Sequence, residues 1–176
     1  MNSHILDSSA TATFNATRTH RFKLTRTWDW RLPKILFIGM NPSKADEVDN
    51  DPTIRREIAF AKRWGYGGLL KCNVLSFITP FPTELPRSAA QACLARNLFT
   101  IEQVMLDAGH GANVVAAWGC GLKAYKSCLD TIVDFAERCG VSLMCLGTTK
   151  DGSPRHPLYV KGDTGLTVWR NVLCGS

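Results

Sequence analysis

Four short apolar runs, each set apart by a stretch of helical spacing, constrain this chain more than any other feature. They are residues 34–40 (KILFIGM), 69–75, 113–118 and 141–146. Runs of six or seven residues match strands buried on both faces. The spacing between and after them predicts amphipathic helices over 52–64, 87–106 and 122–138. For the first of these, Asp51 is a suitable N-cap, Pro52 fits the first turn and Gly65 supplies a stop. Strands alternating with helices imply βαβ units. The expectation is therefore an α/β fold, a three-layer αβα sandwich around a central, mostly parallel four-stranded sheet. Residues 20–30 alternate loosely, as an edge strand or extended segment would. Residues 1–19 are rich in Ser, Thr, Ala and Asn and read as a flexible tail, leaving 20–176 as one domain. The last 30 residues read as a Gly/Pro-rich loop with a short terminal element.

Composition narrows the function classes. No apolar run approaches the ~18 residues of a membrane span, and 45% hydrophobic residues exclude general disorder. The net charge of +6 suggests an anionic partner. It is unevenly spread: residues 1–71 hold 12 basic and 7 acidic side chains, 72–146 hold 5 and 6, and 147–176 hold 4 and 2. The seven cysteines are odd in number and show no C-x-x-C spacing, which argues against zinc and redox motifs. Most lie in apolar runs, where a free Cys serves as a small hydrophobe. A cytoplasmic, monomeric protein without cofactor or metal is expected.

Ligands of such sheets sit at the carboxyl ends of the strands. That rule selects the loops 39–51, 76–87 and 147–161. The first opens Gly39-Met40-Asn41-Pro42-Ser43. Glycine permits close backbone approach, and Pro42 restricts Asn41 to extended geometry, fixing where its amide points. Either this is a ligand-facing amide or an ordinary Asx-type turn. On the following helix Arg55 with Lys62, and Arg56 with Arg63, recur at seven-residue spacing and form a basic face. It fits phosphate contact or a solvated surface, and Glu57 projects nearer the apolar side. Asn73 lies inside an apolar strand, so it is either a satisfied core amide or a reader of a ligand's donor and acceptor. His156 stands between Pro154 and Pro157, beside Arg155, and suits a positioned donor or general acid. No Gly-x-Ser-x-Gly elbow, P-loop or G-x-G-x-x-G is present.

These segments, in this order, resemble the uracil-DNA glycosylase superfamily, most closely its mismatch-specific branch. Gly39, Asn41 and Pro42 match that branch's first motif, with Met40 a mild change and Ser43 replacing a glycine. Asn73 falls where several branches hydrogen-bond the extracted base, and Arg155-His156-Pro157-Leu158-Tyr159 resembles the second motif. Over nearly its whole length after residue 19 the chain also resembles domain-of-unknown-function family 1643, at NPS-x-A-D, D-x-T-I-R-R and G-x-P-R-H-P-L-Y. The likeness implies a glycosylase-like fold and a DNA or nucleotide partner. Asn41 and His156 would be catalytic. Gly39, Met40, Pro42, Ser43, Asn73, Asp51, Thr53 and Tyr159 would bind substrate, and Phe60, Trp64 or Tyr66 would stack on the base. Arg55, Arg56, Lys62 and Arg155 would hold phosphates. Asp51, Thr53 and Arg55 are distinctive of the smaller family and fit a different substrate equally. Two alternatives therefore stand: an enzyme acting on a free or modified nucleotide, centred on Asp49 and Asp51, and a non-catalytic nucleic-acid-binding module.

Overall fold

The computed structural model describes residues 9–170. Its strands are β1 (Ser9–Phe14), β2 (Arg21–Thr27), β3 (Lys34–Gly39), β4 (Gly68–Asn73), β5 (Asn113–Ala116), β6 (Ser142–Cys145) and β7 (Thr167–Arg170). The four apolar runs become β3 to β6, which lie in the order β4-β3-β5-β6 and pair in parallel. The sheet does not stop at four strands. It has seven, in the order β1-β2-β4-β3-β5-β6-β7, and the three added strands are antiparallel to their neighbours.

Physical chemistry explains why those three were hard to see. β1 and β7 are edge strands with few buried residues, so they need no apolar run. β2 carries Arg21, Lys23 and Arg26, which break its apolar signal, yet it lies inside the sheet because β1 covers it. The flexible tail expected over 1–19 is thus corrected from Ser9 onward, where the chain pairs with β2. Residues 1–8 lie outside the described residues.

The helices are α1 (Pro52–Arg63), α2 (Ala89–Ala92), α3 (Ala95–Ala108) and α4 (Lys126–Cys139). Asp51 caps α1 as expected, its carboxylate accepting from Ile54 N at 2.8 Å. The single helix expected over 87–106 is two, because Leu94 turns extended (ψ 127°) between them. Gly140 ends α4 in the left-handed conformation (φ 65°), which a side chain would strain. Cys93 and Cys128 form a disulfide, Cα atoms 5.7 Å apart, so these two are not the free hydrophobes expected of the cysteines. Cys174 lies outside the described residues.

Alternate strand residues feed two cores. Leu36, Ile38, Cys72, Val74 and Val114 pack with Ile101 and Met105 of α3 and Ile132 and Ala136 of α4. Ile35, Phe37, Leu69 and Val115 pack with Ile54, Phe60 and Ala61 of α1. Helices therefore cover both faces of a mixed sheet. Among the described residues no helix is long and apolar enough to cross a membrane.

Candidate functional site

A cavity of about 540 Å³ opens at the carboxyl ends of β3, β4 and β5, on the α1 side of the sheet. Its floor begins with the β3–β4 pairing, where Gly39 stands opposite Asn73 and Phe37 opposite Lys71. A Cβ on Gly39 would lie 2.6 Å from Lys71 Nζ and 2.8 Å from Asn73 Oδ1. Both side chains therefore lie across the glycine, and no other residue leaves them room. Asn73 is 1% exposed, and neither end of its amide has a hydrogen-bond partner among the described residues. An orphaned buried amide costs about 1–3 kcal/mol. Of the two roles open to Asn73, a satisfied core amide is not the one this geometry provides.

Lys71 is buried and pairs with Glu57 of α1 at 2.6 Å. Burial pushes the Glu57 carboxyl above its usual range, against the pull of the Lys71 ammonium. Arg21 enters from β2 through a bulge: Thr13 of β1 faces Lys23 while Phe14 faces Arg21, leaving Phe22 as the extra residue. Phe22 then lies beneath Arg96 of α3 on the far face, and Arg21 lines the cavity.

The first loop is tied down by Asn41. Its Nδ2 donates to Pro42 O at 3.0 Å and to Thr79 O at 2.8 Å. The carbonyl oxygen Oδ1 is its remaining polar atom, and Asn41 lines the cavity with Gly39, Met40 and Ser43. Asp51 and Thr53 line it from the start of α1. Pro42 supplies the carbonyl that holds Asn41 but does not line the cavity.

The opposite wall is the loop after β6. His156 Nδ1 accepts from Leu158 N at 3.3 Å and caps the tight turn Pro157–Tyr159. Burial pushes the imidazole down to about 4; the Lys71 charge adds to this and Asp51 opposes it. The ring is therefore neutral at pH 7. With Nδ1 accepting, its proton belongs on Nε2, which makes Nε2–H a donor. Gly119 (φ 71°) passes beside it, where an added Cβ would touch His156 Cβ at 3.4 Å. Arg155 lines the cavity and is braced by Nε donating to Thr148 O at 3.0 Å. The lining aromatics are Trp118, which is buried, and Tyr159, which is 80% exposed.

Several expected site residues lie elsewhere. Tyr66 packs in the α1-side core and its carbonyl accepts from Trp28 Nε1, so it does not reach the cavity. Phe60 and Trp64 stack on each other in the same core. Arg56 donates to Val160 O at 2.5 Å and Pro157 O at 3.4 Å, pinning α1 to the His156 loop. Arg55 turns back to Asn50 O, and Lys62 lies over the Trp28 ring at 5.4 Å. Of the four residues expected at phosphates, only Arg155 lines the cavity. Sequence reasoning missed Arg21, Lys71 and Thr79. A lysine inside LLKCN was a legible signal, since a buried ammonium requires a partner. Arg21 gave none, because its orientation depends on the bulge. Among the described residues no group of three His, Cys, Asp or Glu could hold a metal.

Residues 21–158 match the family described as "Protein of unknown function (DUF1643)". The chain belongs to that family. No curated protein and no solved structure matches it. The matched stretch runs from Arg21 to Leu158 and so contains both Arg21 and His156, the two walls of the cavity.

Proposed function

We propose that this DUF1643 member is a uracil-DNA glycosylase-like protein that binds DNA and hydrolyses the N-glycosidic bond of a flipped-out altered pyrimidine. The observation that carries this reading is Asn73: a buried amide with donor and acceptor both unpartnered, at the floor of a cavity large enough to admit a nucleobase. A base edge with adjacent acceptor and donor satisfies both ends. Flipping costs a few kcal/mol, which the base's contacts in the pocket must offset.

The geometry supports a role for each residue in this reading. Trp118 or Tyr159 supplies the aromatic surface against the base. Asn41 Oδ1 accepts from a water and aims it at C1′. As the C1′–N bond breaks, its electron pair goes to the base, the water oxygen bonds to the sugar, and the proton the water loses neutralises the departing base. His156 Nε2–H donates to the base anion that forms, a role whose removal costs about 2.7–4 kcal/mol in comparable donor sites. An amide is a weak base, so this reaction is slower than one driven by a carboxylate.

The test is incubation with duplexes carrying uracil, other altered pyrimidines or mismatches, followed by cleavage at abasic sites. Asn41→Ala and His156→Ala should each lose about 10²–10³ in base release while retaining DNA binding. Wild-type release in both overturns the mechanism. A second reading, an enzyme acting on a free or modified nucleotide, is favoured by the self-engaged basic residues of α1, which leave few cations for a duplex. DNA binding that falls steeply with salt excludes it.

A further inference from the structure

Two buried arginines of β2, Arg21 and Arg26, differ in how they are satisfied. Arg26 donates to Asn50 Oδ1, Thr25 O, Asp46 O and Asp49 O. Arg21 is more deeply buried, at 2% exposure, and among the described residues its side chain donates to one neutral carbonyl, Ala45 O. Its Nε is fully buried without a partner, and it forms no ion pair among the described residues. Burial pushes this guanidinium down from its usual range, with Asp51 and Glu57 pulling the other way. A buried charge without a paired counter-charge is among the costliest features a fold can retain. Arg21 is also a cavity residue, whereas Arg26 is not.

Charge around Arg21 points the same way. The cavity is lined by Arg21, Lys71 and Arg155 against Asp51, with His156 neutral. Glu57 answers Lys71 from behind with one oxygen. Arg21, Lys71 and Asn73 thus line the cavity together, and of the two cations among them Lys71 is paired while Arg21 is left unanswered. A neutral carbonyl would leave that cation as it is. An anionic oxygen group would complete it.

We propose that the inner end of the cavity is a subsite for an anionic oxygen group carried on the ligand's ring, of the carboxylate class, held by Arg21 and Lys71 beside the base edge that Asn73 pairs with. This rests on reading the cavity as a base pocket. It narrows the substrate class from altered pyrimidines in general to those bearing a ring acid.

The experiment is calorimetric titration of the full chain with free rings: uracil, its 5- and 6-carboxylates, the matching carboxamides, and inorganic phosphate. Carboxylate and carboxamide are near-isosteric, so their difference reads charge. At least one carboxylate should bind about tenfold or more tighter than its carboxamide, the scale of a charge-assisted hydrogen bond. Arg21→Gln should reduce that preference to about threefold or less. Equal affinity for the two, failure of every ring to bind, or binding of phosphate alone would each overturn the subsite, as would a full preference retained in Arg21→Gln. Free rings have no glycosidic bond, so the two readings fail separately. A carboxylate preference without base release from any duplex sinks the reaction and keeps the subsite. Base release without the preference does the reverse.

Discussion

The two faces of β4 differ more than any two regions of the molecule, although they alternate along six residues. Leu70 and Cys72 point into an apolar layer against α3 and α4. Lys71 and Asn73 point the other way, toward α1, and bring an ammonium and an unsatisfied amide into the interior. The apolar face does contain a buried amide, Asn97 of α3, but its Nδ2 is spent on Asn73 O and Val74 O at 3.0 and 3.1 Å. Asn97 holds the end of β4 in place, whereas Asn73 holds nothing within the chain. Buried polarity that makes structural bonds contributes to the fold. Buried polarity that makes none, beside an opening, is what the proposed base would satisfy.

The largest test of this contrast is substitution of neighbours on opposite faces. Lys71→Ala strands the Glu57 carboxylate in the interior and should cost about 3–5 kcal/mol of stability. Cys72→Ala, one residue on, removes only a small apolar group and should cost less than about 2 kcal/mol. Urea unfolding measures both. The double variant Glu57→Leu/Lys71→Met should recover most of the first loss, since it removes the pair rather than breaking it. Equal losses at 71 and 72 would erase the distinction between the faces.

How far the sequence discloses this arrangement follows the same divide. The apolar face is legible because burial on both sides forces continuous apolar runs, and β3 to β6 fall within a residue or two of the expected positions. The edges are not, since β1 and β7 answer to solvent and leave no period strong enough to separate them from loop. At the site, Gly39, Asn41, Asn73 and His156 were legible as polar or glycine residues at strand ends, where an α/β sheet binds its ligands. The basic stripe of α1 misled for a physical reason: residue spacing reports which cations share a face, not what they bond. Arg56 is spent on carbonyls of the His156 loop. Arg21 was invisible because a one-residue bulge, which no local pattern announces, sets its direction.

A smaller effect, of opposite sign, belongs to Asn73. Asn73→Leu replaces an amide that makes no bonds with an apolar group of similar size. Folding stability should rise by about 1–2 kcal/mol, while base release and ring binding fall to background. Thermal unfolding and the abasic-site assay read the two halves. A loss of stability would mean that Asn73 is bonded within the fold after all, and the two faces of β4 would then differ in composition but not in kind.

An effect of similar size is that of pH, and its cavity-side share belongs to His156. His156 has a native pKa of about 4, against roughly 6.5 when unfolded. Between those values the unfolded chain binds a proton that the native ring refuses. Stability from this group is therefore complete above about pH 6.5 and declines as pH falls toward 4. With solvent screening of a half-buried ring, the decline should be about 1–2 kcal/mol. His20 is shifted in the same direction by burial, so the wild-type slope contains both residues. His156→Asn isolates one of them: urea midpoints measured from pH 7 to pH 4.5 should fall less steeply than in wild type. Base release should hold to near pH 5, because the neutral ring is the donor. Activity that instead required protonation, rising as pH fell through 6.5, would assign His156 an acid's role and remove the reason for keeping it buried.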